Sequence, residues 1–250
     1  MDVKAKLENV TLVLSRPKYP GNVGSVARCA RNFGIDRIMV VGSNSLDPEA
    51  MKQMSTHFAA DIVEKIIYSK DLDEALSPFR HIVGTTARKG SARGPFLSPR
   101  DAAPHLAEMS ANNTIAMLFG PEDAGLTNEE IRRCHTVVTI PTADAFRSLN
   151  LSHAAMILCY ELFVCSAETP QAFTPAQATS RELEGMFGQI KELLLEIGFL
   201  NPENPDYWMT HLRRLLFRIR LTSREVKIIR GICRQLSWYL DQKNPDRKNA

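Results

Sequence analysis

Long apolar runs, paired cysteines and nucleotide-loop signatures are all missing from this chain, and each absence removes a class of function. No stretch approaches the ~20 apolar residues of a membrane span, so no membrane association is expected. The five cysteines, Cys29, Cys134, Cys159, Cys165 and Cys233, are odd in number, scattered, and form no C-x-x-C pair. That usage fits reduced thiols of a cytosolic protein and argues against a disulfide framework or a zinc site. The six histidines (His57, His81, His105, His135, His153, His211) show no metal-ligand spacing, so no metal is expected. No G-x-x-x-x-G-K-S/T loop is present, and Gly21-Asn22-Val23-Gly24 lacks the third glycine of a dinucleotide fingerprint. Asp144 and His153 accompany Ser148, but without a G-x-S-x-G elbow a hydrolase triad is excluded. His153 reads as a helix-surface or interface residue. Met1 to Lys6 carry no apolar signal core, which predicts a cytoplasmic protein. No internal repeat or low-complexity tract interrupts the chain.

What is present is ordinary for a globular protein. The 250 residues are 44% hydrophobic and 24% charged, enough for an α/β core and a small second domain. Apolar, β-branched runs predict strands at Thr11–Ser15, Arg37–Val41, His81–Thr86, Thr114–Phe119 and Thr136–Ile140. Helical patterns fall at Asn22–Asn32, Leu46–Ala60, Lys70–Leu76, Thr127–Arg133 and Asn150–Cys165. Thr127 and Glu130 make a capping box, and Gly34 is a natural helix stop. This alternation predicts an α/β fold, a mostly parallel sheet with helices on both faces. Lys89 to Pro99 is a Gly/Pro/Ser/basic loop long enough to suggest binding. Composition changes at Ser166 to Ser180, read as a linker. Three more helical patterns follow, Arg181–Ile197, Pro205–Arg220 and Thr222–Leu240, before a polar tail. Trp208, Trp238 and Tyr239 read as core of that small bundle.

Three runs stand where an open α/β sheet gathers its ligand loops, each after a strand and before a helix. In the first, Pro20-Gly21 turns the chain, Asn22 can cap the next helix, and Gly24, Arg28 and Arg31 share a face opposite the apolar stripe. Two guanidiniums on one face suit phosphate or carboxylate; a capped surface helix with solvated arginines reads the same way. In the second, Leu118 to Leu126, Gly120 permits close backbone approach to a flat ligand, Gly125 a left-handed turn, and Glu122 ends the strand. A structural turn with an exposed glutamate is the plainer reading. In the third, Ile140 to Asn150, Ser148 and Asn150 are good helix caps, and a capping loop can also present amides to a ligand. Leu151, Ala154, Ala155, Ile157, Leu158 and Leu162 behind it read as plain core.

Taken together, N-x-G-x-x-x-R (Asn22 to Arg28), F-G-x-E-x-x-G-L (Phe119 to Leu126) and I-P…S-L-N (Ile140 to Asn150) resemble the three motifs of the SpoU branch of the SPOUT RNA methyltransferases, in the right order. Trp208 to Leu240 is similar to the helical extension of the bacterial tRNA (cytidine/uridine-2′-O)-methyltransferases that act at nucleotide 32 of the anticodon loop. The resemblance implies a methyltransferase domain over residues 1–165 with a C-terminal trefoil knot, a linker over 166–180, a helical RNA-binding domain over 181–243 and a flexible tail over 244–250. It implies S-adenosylmethionine as cofactor, held by Thr85, Thr86, Ala87, Gly120, Ile140, Arg147, Ser148 and Leu149. Asn22, Arg28, Glu122, Ser148 and Asn150 match active-site positions. A homodimer is implied, meeting through the Asn22–Asn32 and Asn150–Cys165 helices, with Arg28 serving the other subunit; no other protein partner is. For a tRNA partner the candidate contacts are Arg31, Arg88, Lys89 and Arg93, with Arg100 near them. In the helical tail they are Arg213, Arg214, Arg220, Lys227 and Arg234. Between Asp206 and Lys243 nine basic residues stand against three acidic ones. Arg213, Arg220, Lys227 and Arg234 recur every seven residues, a possible basic stripe; a solvated helix face is the alternative. Three other functions remain open: methylation of rRNA or of another tRNA position, a non-catalytic RNA-binding protein on the same fold, and a nucleotide-binding α/β protein unrelated to RNA.

Overall fold

Strand β1 (Val10–Ser15) is buried at every position, which is why it reads as an unbroken apolar run. Leu12 and Leu14 enter the core on one side of the sheet and Val13 the core on the other. β1 pairs in parallel with β2 (Arg37–Val41) on one flank and β6 (Ile115–Phe119) on the other. With β3 (Ile67–Ser69), β4 (His81–Thr85), β7 (Thr136–Val138) and β5 (Phe96–Leu97), the order is β3-β2-β1-β6-β4-β7-β5, every pairing parallel. The computed structural model describes residues 5–42, 46–88, 95–165 and 175–243.

The larger core joins the sheet to α1 (Pro20–Asn32), α2 (Pro48–Ser55), α3 (Ala60–Glu64), α5 (Pro99–Ser110) and α7 (Leu151–Cys165). The smaller one joins it to α4 (Leu72–Leu76) and α6 (Asn128–Arg132). Helices therefore cover both faces, as the alternation predicts. Four cysteines, Cys29, Cys134, Cys159 and Cys233, are buried, and all five are free thiols.

Several elements differ from the periodicity reading. The helix expected over Leu46–Ala60 breaks at Thr56, whose φ of 63° ends α2 before a short 3-10 turn leads into α3. β3 and β5 are short edge strands whose exposed residues leave no alternation to detect. α5 is interrupted in pattern by Pro104, yet Ser98 caps it by accepting from the Asp101 N–H and Pro99 opens it. Gly24 is not on an exposed face. It is buried where α1 crosses α2, and a Cβ there would sit 2.0 Å from the Met51 carbonyl oxygen.

The chain divides into two compact units, Met1–Pro175 and Ala176–Ala250. In the second, α8 (Ser180–Glu196), α9 (Pro205–Arg218) and α10 (Ser223–Lys243) enclose Leu183, Met186, Phe187, Met209 and Val226. Trp208, Trp238 and Tyr239 lie outside this core, each about half exposed. Their expected burial is wrong because α9 and α10 turn Met209, Val226 and Cys233 inward instead. The expected linker and tail fall largely on 166–174 and 244–250, outside the described residues. No described helix is long and apolar enough to cross a membrane.

Candidate active site

Parallel strands bring their carboxyl ends to one edge, and the three motif loops leave from that edge. After β6, Gly120 lies against the returning chain: a Cβ there would come within 2.3 Å of the Gly125 carbonyl carbon and the Leu126 nitrogen. The close approach that needs glycine is thus to the loop's own backbone, not to a flat ligand. Gly125, at φ 60°, donates its N–H to the Pro121 carbonyl (2.7 Å) and closes the turn. Arg88 reinforces it, donating to the carbonyls of Ala124 and Leu126.

Glu122 projects from this turn toward the loop between β1 and α1. Its carboxylate accepts from the Lys18 N–H (3.0 Å), the Tyr19 N–H (3.5 Å) and the Asn22 side-chain amide (2.8 Å). Asn22 does not cap α1. The helix begins two residues earlier, at Pro20, which frees the Asn22 side chain to turn outward. Its Oδ1 accepts from Asn150 Nδ2 (3.0 Å), while Asn150 Oδ1 accepts from the Ser152 N–H and hydroxyl and so caps α7. One residue from each motif thereby joins a continuous hydrogen-bonded chain, Glu122–Asn22–Asn150.

Beside this chain opens a cavity of about 680 Å³ between the ends of β4, β6 and β7. All eight residues expected to hold the cofactor line it: Thr85, Thr86, Ala87, Gly120, Ile140, Arg147, Ser148 and Leu149. Thr85 Oγ1 donates to the Leu118 carbonyl and the Thr86 N–H to that of Val138, fixing the β4 end in place. Arg147 pairs with Asp144 on the rim. Leu151 and Ala154, read as plain core, form part of the wall, as do Val138 and Pro121. Sequence reasoning missed them because a wall residue and a core residue are both apolar at helical or strand spacing.

Other expected contacts stand elsewhere. Arg28 is exposed on α1 and lines neither this cavity nor the depression beside it. Arg31, assigned to RNA, is instead tied to Asp36, to Asp61 and to the Phe58 carbonyl, a clamp from α1 to α3. Arg88, also assigned to RNA, spends its guanidinium on the Gly120–Leu126 turn. Arg213 forms a two-pronged pair with Glu184 (2.6 and 2.7 Å) and stacks over Phe187. Arg220 sits at φ 50° in the turn after α9, so the seven-residue recurrence does not lie on one helix. Arg218, Arg220, Arg224, Lys227 and Arg234 are exposed, and Arg214 is half-buried. Lys89 and Arg93 lie outside the described residues; Arg100 reaches Glu161.

A family model of the SpoU rRNA methylase family matches residues 9–160, which spans β1 through most of α7 and all three motif loops. The chain belongs to the SpoU methylase family. The C-terminal domain of the tRNA methyltransferase TrmJ matches residues 181–248. Among relatives of this SpoU methylase, the tRNA (cytidine/uridine/adenosine-2′-O-)-methyltransferase TrmJ of Pseudomonas aeruginosa is 35% identical, covering 90% of this chain and 93% of its own. The tRNA (cytidine/uridine-2′-O-)-methyltransferase TrmJ of Pectobacterium atrosepticum is 32% identical, with coverages of 90% and 95%. The crystal structure of TrmJ from Z. mobilis ZM4 superposes with a TM-score of 0.76 at 29% identity, covering 91% of this chain and 98% of that one.

Proposed function

We propose that this protein transfers a methyl group from S-adenosylmethionine to the ribose 2′-oxygen of tRNA, at nucleotide 32 of the anticodon loop. The observation that carries the reading is that one cavity, at the carboxyl ends of β4, β6 and β7, is lined by the second and third family motifs, and the first is tied to its wall through the Asn22–Glu122 hydrogen bond. The residues fit the cofactor: the walls supplied by Val138, Ile140, Leu149, Leu151 and Ala154 suit an adenine ring, and the rim supplied by Thr85, Thr86, Glu122 and Ser148 suits a ribose and an amino-acid head. Bound there, S-adenosylmethionine supplies the methyl group, on a sulfonium that needs no further activation. The protein then has to align the 2′-oxygen and ease the loss of its proton. Glu122, with three N–H donors already on its carboxylate, serves as an anchor that sets Asn22 and Asn150. Ser148 faces the cavity at its mouth.

A guanidinium remains protonated in proteins. Arg28 therefore acts by charge, holding a substrate phosphate and stabilising the developing 2′-oxyanion. Its place outside both the cofactor cavity and the depression beside it supports a homodimer in which it reaches the partner's cofactor. Met156, Tyr160, Phe163 and Val164 of α7 are exposed beside Phe33 at the end of α1, an apolar face suited to a second copy. The match to the SpoU methylase family supports a knotted C-terminal part of the catalytic domain. The exposed arginines and lysine of the second unit fit the tRNA backbone, and a tRNA substrate implies a cytoplasmic setting.

The test is transfer of labelled methyl from S-adenosylmethionine to total tRNA from a strain lacking the gene, with the modified nucleotide mapped. Ribose methylation at nucleotide 32 is the expected result. Incorporation at another tRNA position or into rRNA would keep the chemistry and change the target; none into either RNA would leave a non-catalytic RNA-binding role.

A further inference from the structure

Next to the cofactor cavity lies a second, more open depression of about 600 Å³, which shares Glu122, Ser148 and Leu149 with it. We propose that this depression seats the base of the target nucleotide, and that Tyr19, Met54 and Phe146 hold that base by its face while its edge goes unread. The proposal rests on the 2′-O-methyltransferase reading above.

Three observations converge. The first is position: a ribose whose 2′-oxygen meets the methyl donor at Ser148 must place its own base within one nucleoside of that point, and the neighbouring depression is there. The second is the walls. Phe146 is 77% exposed, Tyr19 60% and Met54 48%, three large apolar side chains left in water around one hollow. Gly21 makes room for this wall, since a Cβ at that position would meet Met54 Cγ at 3.3 Å. The third is the floor. Its amide and carboxylate groups are tied to one another: Asn22 bridges Glu122 and Asn150, and Asn150 Oδ1 already accepts twice from Ser152. A floor so occupied presents little donor–acceptor pattern to a base edge. Every base has a π-face, so stacking accepts purines and pyrimidines alike. The same flat, apolar walls could instead pack on a second copy of the chain, which the test separates.

The experiment compares tRNA transcripts that differ only in the target nucleotide, C, U, A or G, using the full-length enzyme. The wild type should methylate all four with kcat/KM values within roughly tenfold of one another. Phe146→Ala should lower kcat/KM by roughly 5- to 150-fold, the loss of one base–aromatic stack, and by a similar factor for every base. Phe146→Tyr should restore it and Phe146→Leu should not. Tyr19→Ala should repeat the effect, and S-adenosylmethionine affinity by calorimetry and sedimentation mass should stay at wild-type values in all variants. A loss confined to one base, unchanged kcat/KM, or rescue by leucine overturns the assignment; a fall in sedimentation mass gives the patch to subunit contact instead. A wild type that methylates none of the four, while binding the cofactor, refutes the underlying methyltransferase reading.

Discussion

Asn22 stands between Glu122 and Asn150, giving a hydrogen bond to the first (2.8 Å) and taking one from the second (3.0 Å). Through this one side chain the loop after β1, the turn after β6 and the cap of α7 are joined. Asn22→Ala removes both bonds and leaves Glu122 and Asn150 with unmet groups. Because catalysis here depends on alignment, we expect kcat/KM for tRNA methylation to fall by about 100-fold. Asn22→Asp should be worse, since it sets a second carboxylate against Glu122. Asn22 lines the open depression and not the cofactor cavity, so cofactor affinity by calorimetry should hardly change.

Gly120 is fixed by backbone contact alone. A methyl group there would overlap the Gly125 and Leu126 main chain, which has no flexible end to move aside. Gly120→Ala should cost at least about 2 kcal/mol in unfolding free energy and abolish cofactor binding. Gly188, inside α8, provides the contrast: nothing lies within 4 Å of its Cβ position. Gly188→Ala should stabilise the second unit by about 0.5–1 kcal/mol, from helix propensity. Thermal and denaturant melts of the two variants measure both signs.

The two substitutions also mark how far the sequence could be read. Fully buried strands such as β1 and β6 and the amphipathic α1 were legible, because burial on both faces leaves an unbroken apolar run and burial of one helix face leaves a period. The glycines were legible as turns, but not as to what they approach: Gly120 and Gly24 touch segments whose closeness only the folded topology creates. The same holds for the arginines. Charge and spacing cannot tell Arg31, Arg88 and Arg213, which hold the protein together, from Lys227 and Arg234, which face solvent. Edge strands β3 and β5 carry too few buried residues to announce themselves.

Arg28 lines neither the cofactor cavity nor the depression beside it, which makes a complementation test decisive. Arg28→Ala alone should abolish methyl transfer and leave cofactor binding intact, with Arg28→Lys retaining part of the activity. Mixing it with Gly120→Ala places a sound cavity in one subunit and a sound arginine in the other. Across a two-fold axis each mixed dimer then has one complete site, and a randomised equimolar mixture should regain roughly a quarter of wild-type activity. Sites completed within one chain would regain none.

In the second unit, Arg213 and Lys227 differ in what they touch. Arg213→Ala breaks the pair with Glu184 and the stack on Phe187 and should cost about 1–2 kcal/mol of stability. Lys227→Ala and Arg234→Ala should leave the melting temperature unchanged and weaken tRNA binding. If each meets a phosphate, each should also flatten the slope of log Kd against log salt by about 0.7–0.9. Filter binding across a salt series reads this directly.

Among the described residues the most strongly shifted carboxylate lies at the junction of β1 and α6. Burial pushes the Glu130 carboxyl up, but the Arg16 guanidinium, the Thr127 N–H and the Ser15 hydroxyl outweigh it and hold the group at about 2. A carboxylate depressed in the folded state stabilises the fold above its unfolded value, near 4.5, and loses that contribution as pH falls toward 2. The gap corresponds to about 3 kcal/mol at neutral pH. Glu130→Gln should therefore destabilise the catalytic unit at pH 7 by an amount of that order, and the difference from wild type should shrink between pH 4.5 and 2. Arg16 turns the chain at φ 48° toward Lys18 and Tyr19, which Glu122 then holds. Arg16→Ala should consequently lower methyl transfer as well as stability, whereas a purely structural pair would change the melting curve and leave kcat/KM at permissive temperature untouched.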